Sequence, residues 1–182
     1  MPRSGDRSAA DGGSHGGACR PYRAGVSILD QGVVVDILPS TVAEMEANAG
    51  DLFAAHYDEI ARNKRVMRLS PDWLRYKALE QSGSLLLLAA WAGDCIIGYS
   101  ASFVVTHLHY SELLYCHNDV LFVAKEYRRG RLGLGLIRAT EREAKKRGAQ
   151  MVSWHAKQGT ALEALMPRLG YGVQDIIYSR EV

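Results

Sequence analysis

The sequence predicts a mixed α/β fold: one twisted, mostly antiparallel sheet flanked by helices, in the order β-α-α-β-β-β-α-β-α-β. Three observations carry this. Two apolar runs, Leu85–Trp91 and Cys95–Thr106, flank Ala92-Gly93-Asp94 and read as an antiparallel hairpin. The β-rich run His117–Ala124 feeds a glycine-rich turn and then a helical pattern over Leu134–Arg147. The chain closes on a strand, a short helix and a last strand, which adds a parallel β-α-β crossover to the antiparallel part.

The elements follow in order. Gly32-Val-Val-Val-Asp-Ile-Leu38 is a strand rich in β-branched residues, and Pro39-Ser40-Thr41 stops it. Thr41-Val-Ala-Glu44 is a capping box, so a helix starts near Val42 and runs to about Arg62, with a break near Gly50. Ser70-Pro71-Asp72-Trp73 repeats the start signal, with Ser70 as N-cap and proline at the first helical position. This second helix ends at Gly83. Residues 107–115 stay open between loop and strand edge. The helix after the glycine turn is stopped by Gly148; Met151–His155 is a strand, Thr160–Leu169 a helix and Val173–Arg180 the final strand.

The chain has 182 residues, 22 basic and 20 acidic, for a net charge of +2. That balance excludes a polycationic nucleic-acid binder and leaves room for a local basic patch. Residues 1–24 hold five glycines, three serines, four arginines and two aspartates, and read as a disordered tail. Residues 25–182 form the single folded domain, with 18 basic and 18 acidic residues. Cys19, Cys95 and Cys116 form no CxxC pair and are odd in number, which argues against a disulfide framework and a zinc knuckle and fits a reducing cytosol. No apolar run approaches the ~18–20 residues of a membrane span, and no signal-peptide core heads the chain.

Charge inside the domain is uneven. Lys125–Arg147 carries nine basic and three acidic residues, a local +6. The run begins in a turn holding Gly130, Gly133 and Gly135, which opens a helix. Backbone N–H groups in such a turn converge, and the helix N-terminus adds about half a positive charge. Arg128, Arg129 and Arg131 add whole charges. The expectation is an anion site for a phosphate or pyrophosphate. A Walker A loop needs Gly-Lys-Ser/Thr, which is absent; a dinucleotide fingerprint wants an acid about 20 residues on, where Ser153, Trp154 and His155 stand.

At this turn the sequence resembles the GCN5-related N-acetyltransferase (GNAT) superfamily, including small bacteriophage-borne members. The signature Arg/Gln-x-x-Gly-x-Gly/Ala maps onto Arg128-Arg129-Gly130-Arg131-Leu132-Gly133, followed by Leu136-Ile137. A helix closed by Gly148-Ala149, a strand at 151–155 and the ending Leu169-Gly170-Tyr171 also match. The resemblance covers about residues 32–182. It departs at Arg131, where the family has glycine, and at Met166, where many members have a tyrosine that protonates the departing thiolate.

The resemblance implies acetyl-coenzyme A as donor and direct attack by a primary amine, small-molecule or peptide, in a ternary complex. Leu121, Phe122, Val123, Arg128, Arg129, Gly130, Arg131, Leu132, Gly133 and Leu134 would hold the donor, with a backbone N–H of Leu121–Val123 facing the oxyanion. An alkyl ammonium has a pKa near ~10.4, so a base is needed. Asp119 is chosen: strand alternation places it on one face with His117 and Leu121, and a carboxylate on an apolar strand calls for a reason. His155 ends the next parallel strand and, with His117, is placed to relay a proton. His107, His109, Tyr110 and His56 are assigned to the acceptor cleft, with Tyr57 and Glu59 beside His56 on the first long helix facing it too, while Trp73 and Tyr76 read as core. No cysteine or carboxylate completes a metal site with His107, His109 and His117. Two other readings stand beside the enzyme: a non-catalytic coenzyme A-binding module on the same fold, and a nucleic-acid-associated protein using the 125–147 patch. A homodimer is compatible with each.

Overall fold

The computed structural model describes residues 25–30 and 32–181; the tail expected over 1–24 lies outside the described residues. Six strands form one sheet in sequence order: β1 (Val26–Asp30), β2 (Val33–Pro39), β3 (Leu85–Ala92), β4 (Cys95–Thr106), β5 (Leu114–Val123) and β6 (Met151–Trp154). Every neighbouring pair is antiparallel except β5 and β6, which are parallel. The helices are α1 (Val42–Asn48), α2 (Gly50–Ile60), α3 (Trp73–Gln81), α4 (Leu132–Lys146) and α5 (Ala161–Leu165), with 3-10 turns at Lys125–Tyr127 and Met166–Leu169. The mixed, mostly antiparallel sheet flanked by helices is the fold class the sequence predicts.

The local signals explain most of the element ends. The Thr41 hydroxyl accepts from the Glu44 N–H at 3.2 Å, and the Glu44 carboxylate accepts from the Thr41 N–H at 2.9 Å. The first helix breaks at Ala49, which ends α1 and begins α2. Gly148 follows α4 with φ +88°, a conformation that a side chain would strain.

Four expectations need correction. The strand β1 precedes the first predicted one and pairs with it as a hairpin. Asp72, rather than Ser70, caps α3: its carboxylate accepts from the Arg75 N–H at 3.0 Å, so Pro71 stands outside the helix. Helix α4 starts at Leu132, two residues early: Arg131 holds the N-cap position without a side-chain cap, and Asp30 accepts from the Arg131 and Leu132 N–H groups instead. Val173–Arg180 makes no strand: Val173, Ile176, Ile177 and Tyr178 are 70–89% exposed. Its β-rich composition meets no sheet edge, and β propensity without a partner does not make a ladder.

Two cores form, one on each face of the sheet. On one face α4 buries Leu132, Leu136, Ala139 and Ala144 against Val35, Ile37, Leu86, Leu88 and Val123. On the other, Val42, Met45 and Leu52 pack on Leu85, Leu87, Tyr99 and Phe122, with Trp73 and Tyr76 alongside.

The strand β5 changes face midway. Opposite β4, Asn118 pairs with Ser102 and Val120 with Ala101, leaving Asp119 as an extra residue in a bulge. Before the bulge, Cys116 packs toward α4; after it, Leu121 and Val123 do, while Val120 and Phe122 face α1 to α3. Asp119 therefore shares no face with Leu121, which corrects the alternation argument. Fully buried Asn118 holds the bulge: its amide nitrogen lies 3.0 Å from both the Ser100 and Ser102 hydroxyls and 3.1 Å from the Ala101 and Val120 carbonyls.

Candidate active site

At the bulge β5 and β6 part. Their parallel pairing ends at Asn118 and Trp154, with a long 3.4 Å bond from the His155 N–H to the Asn118 carbonyl. Beyond that point the two strands form a fork. On the β4 side, the Ala124 N–H donates to Ile97 at 2.8 Å. Backbone direction alternates along a strand, so the N–H groups of Leu121 and Val123 point into the fork. The Val123 carbonyl fits this: it accepts from Arg128 Nε at 2.8 Å instead of from β4.

Around the fork stand the titratable groups. His117 and His155 meet edge to face, ring centroids 4.0 Å apart. His117 Nδ1 lies 3.3 Å from the Ser153 hydroxyl, which also pairs with Tyr115 through a very short contact. Burial and the neighbouring His155 push the His117 pKa down, so its ring is neutral near neutral pH. Asp119 is exposed on the bulge, not buried as its strand position suggested. Its charge acts on His117, Tyr76 and Tyr99, which puts it on the side of the sheet away from α4.

Val120, the residue after Asp119, lines a cavity of about 310 Å³ between α2, the 61–72 connection, α3 and the sheet. Met45, Phe53, Trp73, Tyr76, Tyr99 and Val120 line much of it. His56, one of the four residues assigned to the acceptor cleft, also lines it: Nδ1 pairs with the Tyr99 hydroxyl at 2.7 Å, and the ring stacks on Phe122 at 4.6 Å. Burial lowers the His56 pKa to about 4, helped by the charge of Lys157. Burial likewise drives the Tyr99 hydroxyl well above its usual range, so it keeps its proton. His107, His109 and Tyr110 do not join them. They cluster on the β4–β5 connection, His107 4.6 Å from Tyr110, and Tyr115 links them to His117. A second hollow, of about 340 Å³ beside Pro39 and Arg147, has its guanidinium bonded to the Gly83 and Leu85 carbonyls.

The glycine turn holds an anion, and the anion is internal. Asp30, 3% exposed at the end of β1, accepts from the Arg131 N–H at 3.3 Å and the Leu132 N–H at 3.2 Å. A Cβ on Gly130 would sit 1.4 Å from Asp30 Oδ1, so glycine is needed there by close approach. The first bond within α4 is Gly135 N–H to Arg131 O at 2.8 Å, so the N–H groups of Gly133 and Leu134 face forward from the helix end. Arg131 has φ −101°, which accommodates its side chain in place of the expected glycine. Arg129 and Arg131 are exposed. Arg128 is turned elsewhere: it grips Glu59 with both terminal nitrogens, at 2.6 and 2.8 Å, and lies over the Phe122 ring. That hydrogen bond, above all, lowers the Glu59 pKa. Among the described residues no cluster of three or more metal-ligating side chains occurs, and no helix is long and apolar enough to cross a membrane.

Sequence reasoning missed Asp30, Tyr99 and Lys157, and it placed Glu59 at the acceptor cleft, where the structure pairs it with Arg128. Asp30 ends a short strand before a turn and gives no local sign of reaching residue 131. Tyr99 sits in an ordinary strand pattern.

The fold recurs in known proteins. The profile of the acetyltransferase (GNAT) family matches residues 52–171, and the chain belongs to that family. Its fold is similar to an aminoglycoside acetyltransferase from an uncultured soil metagenomic sample: TM-score 0.66, 20% identity, 81% of this chain and 98% of that one. It is also similar to a ribosomal-protein-alanine N-acetyltransferase from Brucella melitensis biovar Abortus 2308: TM-score 0.62, 16% identity, 81% and 99% coverage. AAC(6')-Iy in complex with a coenzyme A-bearing bisubstrate analog aligns with TM-score 0.58 and 17% identity over 81% and 98%. Among curated proteins none matches.

Proposed function

We propose that the protein is an acetyl-coenzyme A-dependent N-acetyltransferase that brings a primary amine directly to the donor. The observation that carries this is the fork between β5 and β6, which lies between an anion-holding helix N-terminus and a cavity walled by Asp119's neighbours. The residues present suit the donor. The carboxylate on the Arg131 and Leu132 amides is direct evidence that this turn favours an anion. Gly133, Leu134, Arg129 and Arg131 remain for a pyrophosphate, and the fork suits an extended arm.

The donor supplies an acetyl thioester, whose C–S bond breaks as the amide C–N bond forms. The protein's part is to position and to move protons. Asp119 takes one proton from the incoming ammonium before attack and the second from the nitrogen once the C–N bond has formed, and neutral His117 with His155 passes each toward solvent. The Leu121 and Val123 N–H groups face the developing oxyanion. Met166 is buried and offers no proton. The thiolate leaves without a protein acid, which a thiol pKa near ~8.5 permits.

Met166 also favours a second reading, a coenzyme A-binding module without turnover. Calorimetric titration with acetyl-coenzyme A, followed by thiol release with a panel of amines, separates them. Micromolar binding with turnover supports the enzyme; binding alone supports the module; no heat sinks both. Cys95 and Cys116 are free thiols, which supports a cytosolic setting. The finer likeness to bacteriophage-borne members rests on the glycine-turn signature alone.

A further inference from the structure

We propose that the acceptor is an amino carboxylate with one apolar, ring-sized side group: an aromatic or branched α-amino acid or a close relative. This rests on the acetyltransferase reading of the same site. The cavity's volume of about 310 Å³ is at the small end of ligand pockets, which run from roughly 300 to 1,000 Å³. That suits one ring-bearing monoamine better than a multi-ring sugar. Its wall is aromatic and thioether: Phe53, Trp73, Tyr76, Tyr99, Met45 and Met67.

The charged side chains that line the cavity have one sign. The charged residues among those lining it are Arg68 and Lys157. Burial above all keeps His56 neutral there; Lys157 and Arg128 push the same way and Glu59 opposes them, so the Lys157 charge is felt inside the cavity. Lys157 is steadied by donating to the Ile60 carbonyl at 2.7 Å. The 61–72 connection adds Arg62, Lys64 and Arg65; Lys64 is paired with Asp58 and Arg65 with Glu181. Asp72, its acidic residue, is spent capping α3. A polycation entering here meets like charge, which disfavours it. An amino carboxylate meets a match at each point: ammonium toward Asp119, apolar body against the aromatic wall, carboxylate toward Arg68 and Lys157.

The test is an acceptor panel of phenylalanine, leucine, phenethylamine, spermidine and kanamycin, read by thiol release and product mass. Phenylalanine and leucine should show kcat/KM about 100-fold above spermidine and kanamycin. They should stand about tenfold above phenethylamine, which lacks the carboxylate. Arg68→Glu, on an exposed side chain, should cut the phenylalanine-to-phenethylamine ratio about tenfold. Preference for spermidine or kanamycin overturns the assignment, as does an unchanged ratio in Arg68→Glu. Calorimetric titration of phenylalanine into coenzyme A-saturated protein reads the cavity without turnover. Binding there with no thiol release from any amine keeps the cavity assignment and sinks the enzyme. Turnover of a polyamine with no phenylalanine binding does the reverse.

Discussion

Removing the Asp30 carboxylate should loosen the head of α4. Its two oxygens accept from the Arg131 and Leu132 N–H groups at 3.3 and 3.2 Å. These are longer than the 2.7–2.9 Å of strong charge-assisted bonds, so the low end of their range applies. Loss of a helix N-cap costs about 1 kcal/mol, and a charge at a partly buried helix end contributes up to ~2 kcal/mol. The two overlap, so Asp30→Ala should destabilise by about 1.5–2.5 kcal/mol. At ~2–4 °C per kcal/mol for a domain of this size, the Tm should fall by about 3–10 °C. Urea denaturation followed by far-UV circular dichroism reads it directly. Gly130→Ala offers an independent route, because its Cβ would press to 1.4 Å of Asp30 Oδ1 and drive the carboxylate off the amides. The two changes should not add: in an Asp30→Ala background, Gly130→Ala should cost under ~0.5 kcal/mol. Acetyl-coenzyme A should then bind more tightly, since two amides are freed and a negative charge is gone. An unchanged urea midpoint in Asp30→Ala, or full additivity of the pair, would refute the reasoning.

Three further outcomes are expected. Asp119→Asn should lower kcat by ~10²–10⁴-fold with the urea midpoint unmoved, since the side chain is exposed; an unchanged pH–rate profile would remove Asp119 from the base role. His56 has a folded pKa of about 4 against 6.5 unfolded, so below pH 6.5 the unfolded chain takes up a proton that the folded one refuses. Stability should fall as pH drops from 6.5 toward 4, with His117 adding to it in the same sense, and His56→Gln should shrink the drop measured between pH 7 and 4.5; equal drops would contradict this. Asn118→Ala should cost about 1–3 kcal/mol in denaturant, because the Ser102 hydroxyl and the Val120 carbonyl lose the Asn118 amide while Ser100 keeps Thr140.

The parts legible in the sequence are those set by short-range chemistry. The Thr41 capping box, the Gly93-Asp94 hairpin and the Gly148 stop each depend on residues within a turn of one another. The glycine turn was legible as an anion site for the same reason. Its occupant was not, because Asp30 lies about a hundred residues earlier and reaches the turn only through the sheet. Arg128 illustrates the same limit. Its charge suited a phosphate, yet Glu59 of α2 lies close enough to claim it bidentately. The acceptor cleft split in the same way: His56 reached the cavity, while His107, His109 and Tyr110 stayed on their own connection.

The bulge at Asp119 is the point where the fold and the proposed chemistry meet. Two consecutive polar residues, Asn118 and Asp119, interrupt an otherwise apolar strand, and alternation alone would bury one of them at a cost. The bulge resolves the conflict by treating the two oppositely. Asn118 goes inside, where its amide nitrogen reaches Ser100, Ser102 and two carbonyls while its Oδ1 has no hydrogen-bond partner among the described residues. Asp119 is put outside, on the cavity side, where its charge reaches His117, Tyr76 and Tyr99. The extra residue also ends the pairing with β6 and reverses the faces of Leu121 and Val123. One local irregularity thus opens the fork, turns the amides into it and sets a carboxylate beside the acceptor cavity. An aliphatic residue at 118 should therefore damage more than stability: by letting the ladder run straight, it should close the fork and lower turnover even in the molecules that still fold.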